Sequence, residues 1–143
     1  MSEDKTPVNS KDDGLLRILV GLANSELMDI SITLIVKGIV IVGYVIGYKR
    51  YYDGVIKVLS KAKVFDTSNQ TPSQAGDKLV ELFENFKDMA IEETPDGPTF
   101  IHLEKAIVVN DSSGNLLAPS YWRLKIDSID GFMLGMPQSM VET

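Results

Sequence analysis

The stretch LMDISITLIVKGIVIVGYVIGY, residues 27–48, decides the fold. It is long enough to cross a bilayer as one helix, which needs roughly 20 apolar residues. Asp29 and Lys37 interrupt it, Gly38, Gly43 and Gly47 dilute it, and its apolar positions are mostly Ile and Val. Branched Cβ atoms suit a pleated sheet better than a helix, so no membrane span is expected. Ile30, Ile32, Leu34 and Val36 alternate with Ser31 and Thr33, the period-two pattern of a half-buried strand. Lys37-Gly38 reads as a tight turn, the glycine supplying the positive φ that a short hairpin needs. A second strand is then expected from Ile39 to about Tyr51, apolar on both faces, with Gly43 and Gly47 allowing a sharp bend.

Toward the N-terminus, Asp12 or Asp13 can cap a helix from Gly14 to about Asn24. Its expected apolar side is Leu15, Leu16, Ile18, Leu19 and Leu22, with spacings of three and four. Residues 1–11 read as a flexible polar tail without the basic start and apolar run of a signal peptide. Toward the C-terminus, after Asp53-Gly54, Val55 to Val64 reads as a short helix or turn-rich connection. Asp66 to Gln70 is a polar loop. Thr71-Pro72-Ser73-Gln74 is a helix start, with Thr as cap and Pro in the first turn. Leu79, Leu82, Phe83, Phe86, Met89 and Ala90 form a helical stripe that should stop before Thr94-Pro95. Asp96 to Pro98 is a turn, Thr99 to Val109 a strand, and Asn110 to Asn115 a loop. In the next strand, Tyr121 to Asp127, Trp122, Leu124 and Ile126 point inward and Tyr121, Arg123, Lys125 and Asp127 outward. A turn at Ser128 to Asp130 leads to a last strand, Gly131 to Met136.

The order predicts an α+β chain, mainly β with helices. It matches a small five-stranded antiparallel barrel of the Sm-like/SH3-like kind, with an N-terminal helix and a helical insertion at 55–93 between strands 2 and 3. The domain spans 12–137, and residues 138–143 form a second tail. So apolar a sheet must close on itself or pair with neighbours, because open edges invite aggregation.

The 143 residues contain no Cys and one His, which excludes disulfides, thiolate chemistry and multi-imidazole metal sites; no cofactor is expected. A net charge of −6, from 14 basic and 20 acidic residues, argues against a nucleic-acid partner. His102, flanked by Ile101 and Leu103, reads as structural or solvent-facing, and otherwise as a pH-sensitive contact. Glu92, Glu93 and Asp96 lie in a turn with nothing apolar to raise a pKa. Asp111 to Asn115 lacks the spacing and terminal Glu of a calcium loop. Lys49-Arg50-Tyr51-Tyr52 is the one basic-aromatic cluster, read as a solvated strand end. Its functional alternative is an Sm-like RNA-binding ring whose pore carries Lys49, Arg50 and Tyr52. An enzyme has no supporting constellation. What remains is surplus apolar surface: both faces of Ile39–Tyr48, including Tyr44 and Tyr48, the stripe at Phe83 and Phe86, and Phe132 with Met133, Leu134 and Met136. These mark a partner surface, with homo-oligomerisation the economical reading.

Asp29-Ile30 through Gly43, Phe100-Ile101-His102-Leu103 with Ala106, and Trp122-Arg123 leading to Ile129-Asp130-Gly131-Phe132 and Leu134-Gly135 together resemble the gas-vesicle accessory protein U family, GvpU. The similarity spans most of residues 14–136. FIHL…A and WR…IDGF.LG are its most specific parts. The resemblance implies a non-enzymatic, cytoplasmic, vesicle-associated protein that affects vesicle assembly or clustering through self-association and contacts with shell or other vesicle proteins. Phe100, His102, Leu103, Trp122, Arg123, Gly131, Phe132 and Gly135 match motif positions. Most of them are expected to be structural, and outward-facing Arg123 is the preferred contact residue.

Overall fold

The computed structural model describes residues 14–61, 72–89, 97–109 and 120–136. The two tails, the Asp66–Gln70 loop, the Thr71 cap, the Glu92, Glu93 and Asp96 cluster and the Asp111–Asn115 loop lie outside them. In chain order the elements are α1 (Gly14–Asn24), β1 (Ile30–Val36), β2 (Ile39–Ile46), α2 (Tyr48–Lys61), α3 (Pro72–Asp88), β3 (Phe100–Val108), β4 (Ser120–Lys125), a short 3-10 turn (Ile126–Ser128) and β5 (Gly131–Leu134). The result is an α+β fold with one five-stranded antiparallel sheet in the order β4-β3-β2-β1-β5.

The β1–β2 hairpin forms where expected, with Val36 opposite Ile39 across Lys37-Gly38. Both turn residues have positive φ, 50° and 80°, as a type I′ turn requires. Asp130 ties this turn to the approach to β5, its carboxylate accepting the Lys37 backbone N–H at 2.7 Å. Lysine is a poor choice for a left-handed position, whereas Asn-Gly is favoured there. Lys37→Asn should therefore stabilise the fold by about 0.5–1 kcal/mol, read as a raised urea midpoint at unchanged m-value.

β2 is shorter than its alternation suggests. The strand expected to reach Tyr51 stops at Ile46, and a helix begins at Tyr48. The cause lies in α1. Its C-terminus closes with Leu27 N–H donating to Leu22 O and Glu26 N–H to Ala23 O, Glu26 taking φ 62°. This end abuts Gly47, where an added Cβ would sit 2.6 Å from Ala23 O. Asn24 Oδ1 then accepts the Tyr48 N–H at 3.0 Å, satisfying a donor that the first turn of α2 would leave orphaned. The short helix or turn-rich connection expected from Val55 is part of α2, which runs through Asp53-Gly54.

β3 carries one residue more than its neighbours can pair. Tyr44 faces Glu104 but Val42 faces Ile107, and Leu103 faces Trp122 but Ala106 faces Ser120. The extra residue is Lys105, at φ 54°, a β-bulge that bends the strand. Gly43 packs beside it, with Ala106 only 3.1 Å from where a Cβ would stand.

One sheet face packs on α1 through Leu16, Val20, Ile32, Leu34, Ile101 and Leu103, all fully buried. The turn between β4 and β5 adds Ile126 and Ile129 to this core. β4 and β5 are consecutive in the chain yet lie at opposite ends of the sheet. A flat five-stranded sheet would hold its edges about 19 Å apart. A link containing a 3-10 turn, rising about 2 Å per residue, demands that the sheet curl. A β4–β5 ladder, which would close the expected barrel, is not among the described pairings. Successive antiparallel neighbours leave these two strands pointing the same way, and parallel neighbours need a crossover of a dozen or more residues.

The second face is partly roofed by α2, with α3 packed on α2. Lys87 of α3 reaches Asp53 of α2 at 2.7 Å. α2 approaches β4 so closely that a Cβ at Gly54 would strike the Tyr121 ring.

Candidate functional site

Tyr48, Tyr51 and Tyr52 fall at helical spacings of three and four, so α2 turns these rings toward the sheet. Tyr51 and Tyr52 meet His102 of β3, which stands opposite Ile46 on one side and Arg123 on the other. The Tyr51 ring lies 4.5 Å from the imidazole, and the Tyr52 ring 6.2 Å. Arg123 Nη1 donates to Tyr52 Oη at 2.8 Å and lies 3.3 Å from His102 Nε2. Its guanidinium stacks 3.8 Å above the Phe100 ring. Guanidinium has only donors, so Nε2 accepts and the imidazole proton sits on Nδ1. His102 is fully buried. Burial first, and the Arg123 charge second, push its pKa from 6.5 down to about 3. The chain's single imidazole is thus a neutral packing group at physiological pH, shielded from any substrate.

Polar chemistry reaches solvent elsewhere. A cleft of about 410 Å³ lies between the end of α1 and the start of α2, lined by Met28, Gly47, Lys49 and Arg50 with the carboxylates of Glu26, Asp29 and Asp53. Arg50 bridges Asp29 at 2.6 Å and Glu104 at 2.7 Å, tying the β1 approach, α2 and β3 together. Burial opposes its charge, but these carboxylates outweigh burial and hold the guanidinium above its ordinary pKa. Among the described residues no three His, Cys, Asp or Glu side chains are grouped to hold a metal ion. No helix among them is long and apolar enough to cross a membrane. Of the residues named for an RNA-binding pore, Arg50 is engaged by two carboxylates and Tyr52 is buried.

The six residues singled out as contact candidates occupy different settings. Tyr48 is buried in the core. Phe83 is half-buried, its ring 6.1 Å from Tyr52 and 6.5 Å from half-buried Phe86. Arg123 is on the face opposite Trp122, as expected, but that face is roofed by α2 and the side chain is half-buried against Tyr52 and Phe100. Tyr44 is half-buried on the same face, with the Lys105 ammonium 5.9 Å from its ring. Phe132 is half-buried at the β5 end of the core. Trp122, expected in the core, packs against it half-buried and donates to Ser120 Oγ at 2.9 Å.

Sequence reasoning missed the outer face of α1. Leu15 and Ile18, expected on its core side, are 57% and 62% exposed, while Leu16, Val20 and Ala23 are buried. Leu27 and Met28, just beyond the helix, are also exposed. α1 carries Arg17 as its only charge. Apolar all round, such a helix wants cover on both sides.

The residues shared with the expected family motif therefore converge: Phe100, His102 and Arg123 form one cluster, and Leu103, Trp122 and Phe132 line the core. A family model described as "Gas vesicle protein GvpU-like" matches residues 13–137. The chain belongs to the GvpU-like family. A comparison with curated proteins gives no match, and one with solved structures gives none. Among the described residues, the GvpU-like match takes in the three α-helices and the five strands.

Proposed function

We propose that this chain is a non-enzymatic gas-vesicle accessory protein that acts in vesicle assembly or clustering through self-association and contacts with vesicle proteins, in the cytoplasm at the vesicle surface. The match to the GvpU-like family over residues 13–137 carries the reading. The chemistry of the chain supports it. Its one imidazole is neutral and enclosed, whereas its apolar surplus lies outside, as suits a protein that works by contact. The outer face of α1, with Leu15 and Ile18 beside Leu27 and Met28, is the surface assigned to vesicle proteins, because it is apolar and nearly free of charge. Tyr44 and Phe86, both partly open, are further contact candidates.

Gas-filled vesicles float on centrifugation, which gives a direct assay. Purified protein mixed with vesicles should rise with them, and Leu15→Glu/Ile18→Glu should remain below with at least tenfold less protein in the floating layer. Both positions are exposed, so the double variant should keep the parent's circular dichroism. Parent protein that stays below the vesicles contradicts the reading. Equal flotation of the variant moves the contact away from α1.

A further inference from the structure

β4 and β5 are the two edges of the sheet, and their chemistry differs. On the β4 side, Ile126 N–H donates to Thr99 O at 2.9 Å, and Leu124 stands opposite Ile101. Antiparallel strands alternate the direction of their backbone groups, so the N–H and C=O groups of Trp122 and Leu124 face β3 while those of Tyr121, Arg123 and Lys125 face the open side. Lys125 is exposed on that edge, a cationic side chain of the kind that discourages strand addition. On the β5 side, Gly135 N–H donates to Ser31 O at 2.8 Å, and Met133 stands opposite Thr33. The N–H and C=O groups of Phe132 and Leu134 therefore face away from β1. Gly131 to Met136 carries no charge and no proline. Met133 and Leu134 are 53% and 56% exposed. Both ends of β5 are pinned to the hairpin, by Asp130 N–H to Ile35 O at 2.8 Å and by Thr33 Oγ1 to Gly135 O at 2.9 Å. This edge is fixed, apolar and free of charged side chains from Gly131 to Met136.

We propose that β5 is the self-association edge, pairing antiparallel with β5 of a second copy about a two-fold axis. The register follows from the outward groups. Phe132 lies opposite Leu134 of the second copy, each such pair exchanging both backbone bonds, and Met133 lies opposite its own symmetry mate. Phe132 and Leu134 share the α1-side face, so the two cores become continuous across the axis. The same operation about Leu124 of β4 would set Arg123 opposite Lys125 of the second copy, like charges that disfavour that edge. A four-residue strand buries far less than a standard interface, so the dimer is reversible and depends on concentration.

This inference rests on the self-association part of the proposed function. Its test uses the full chain without vesicles, so a failure of vesicle binding leaves it untouched. Sedimentation equilibrium should show the parent dimerising as concentration rises. Met133→Glu and Met133→Lys should each weaken dimerisation about tenfold or more, the loss of about 1.4 kcal/mol or more expected of like charges facing each other. An equimolar mixture of the two should restore dimers at or above the parent's level, since the axis then sets Glu against Lys. Leu134→Pro, which removes an N–H that faces away from β1, should abolish dimerisation in every mixture. A parent that stays monomeric throughout, or a mixture that associates no better than either variant alone, overturns the proposal.

Discussion

Replacing His102 with Gln will remove about 2 kcal/mol of the stability that the protein loses between pH 7 and pH 5. The sign follows from the direction of the shift. In the unfolded chain the imidazole takes a proton near pH 6.5, whereas in the fold burial and the Arg123 charge delay protonation to about pH 3. The unfolded state therefore binds more protons as the pH falls below 6.5. Stability is fully present above that pH and declines at up to about 1.4 kcal/mol per pH unit until the folded pKa is reached. Gln keeps a carbonyl acceptor for the Arg123 guanidinium that lies 3.3 Å from Nε2, and it does not titrate. Carboxylates are common to both proteins and cancel in the difference. Urea titrations at pH 7, 6 and 5 supply the comparison. The parent's midpoint should fall relative to that of the variant, and two parallel profiles would contradict the burial of this ring.

Gly47→Ala is the second large effect, a loss of about 3 kcal/mol. The new Cβ would stand 2.6 Å from Ala23 O, a backbone atom locked in the last turn of α1. Neither partner can swing aside, so α1 or the β2–α2 junction must move, at the upper end of the cost of overpacking. Gly43→Ala is the internal comparison. There the nearest atoms of Ala106 lie at 3.1 Å, a gap that a small shift of β3 at its bulge can widen, so about 1 kcal/mol is expected. Urea midpoints for the two variants should rank in that order. A Gly47→Ala protein as stable as the parent would mean that α1 does not seat against this junction.

Which parts of this fold were legible in the residues depends on how far each cause lies along the chain. α1, β1 and the hairpin turn lie where expected, because their signals are local: helical spacing after Asp13, strict alternation from Ile30, and Lys37-Gly38 at the break. The start of α2 was not legible. Ile39 to about Tyr51 reads as one strand, and what overrides that reading beyond Ile46 is contact with Ala23 and Asn24 of another element. The same stretch held the missed signal, since Tyr48, Tyr51 and Tyr52 also make a helical stripe. The bulge at Lys105 is set by register against two neighbours at once, which no local pattern encodes. The wetted side of α1 escaped because apolar residues surround most of the helix, so their spacing marks a helix without saying which side meets the sheet. Phe132, Met133 and Leu134 stood out as surplus apolar residues, but only the strand order shows that they form an edge.

Two separate surfaces, α1 for vesicle proteins and β5 for a second copy, would make this chain a bridge between vesicles. Light scattering by purified vesicles during titration with the protein tests that bridge directly. Clusters should grow with added parent protein, and vesicles should stay dispersed but protein-coated with Met133→Glu. Vesicles that bind the parent and stay dispersed at every concentration would contradict the bridge.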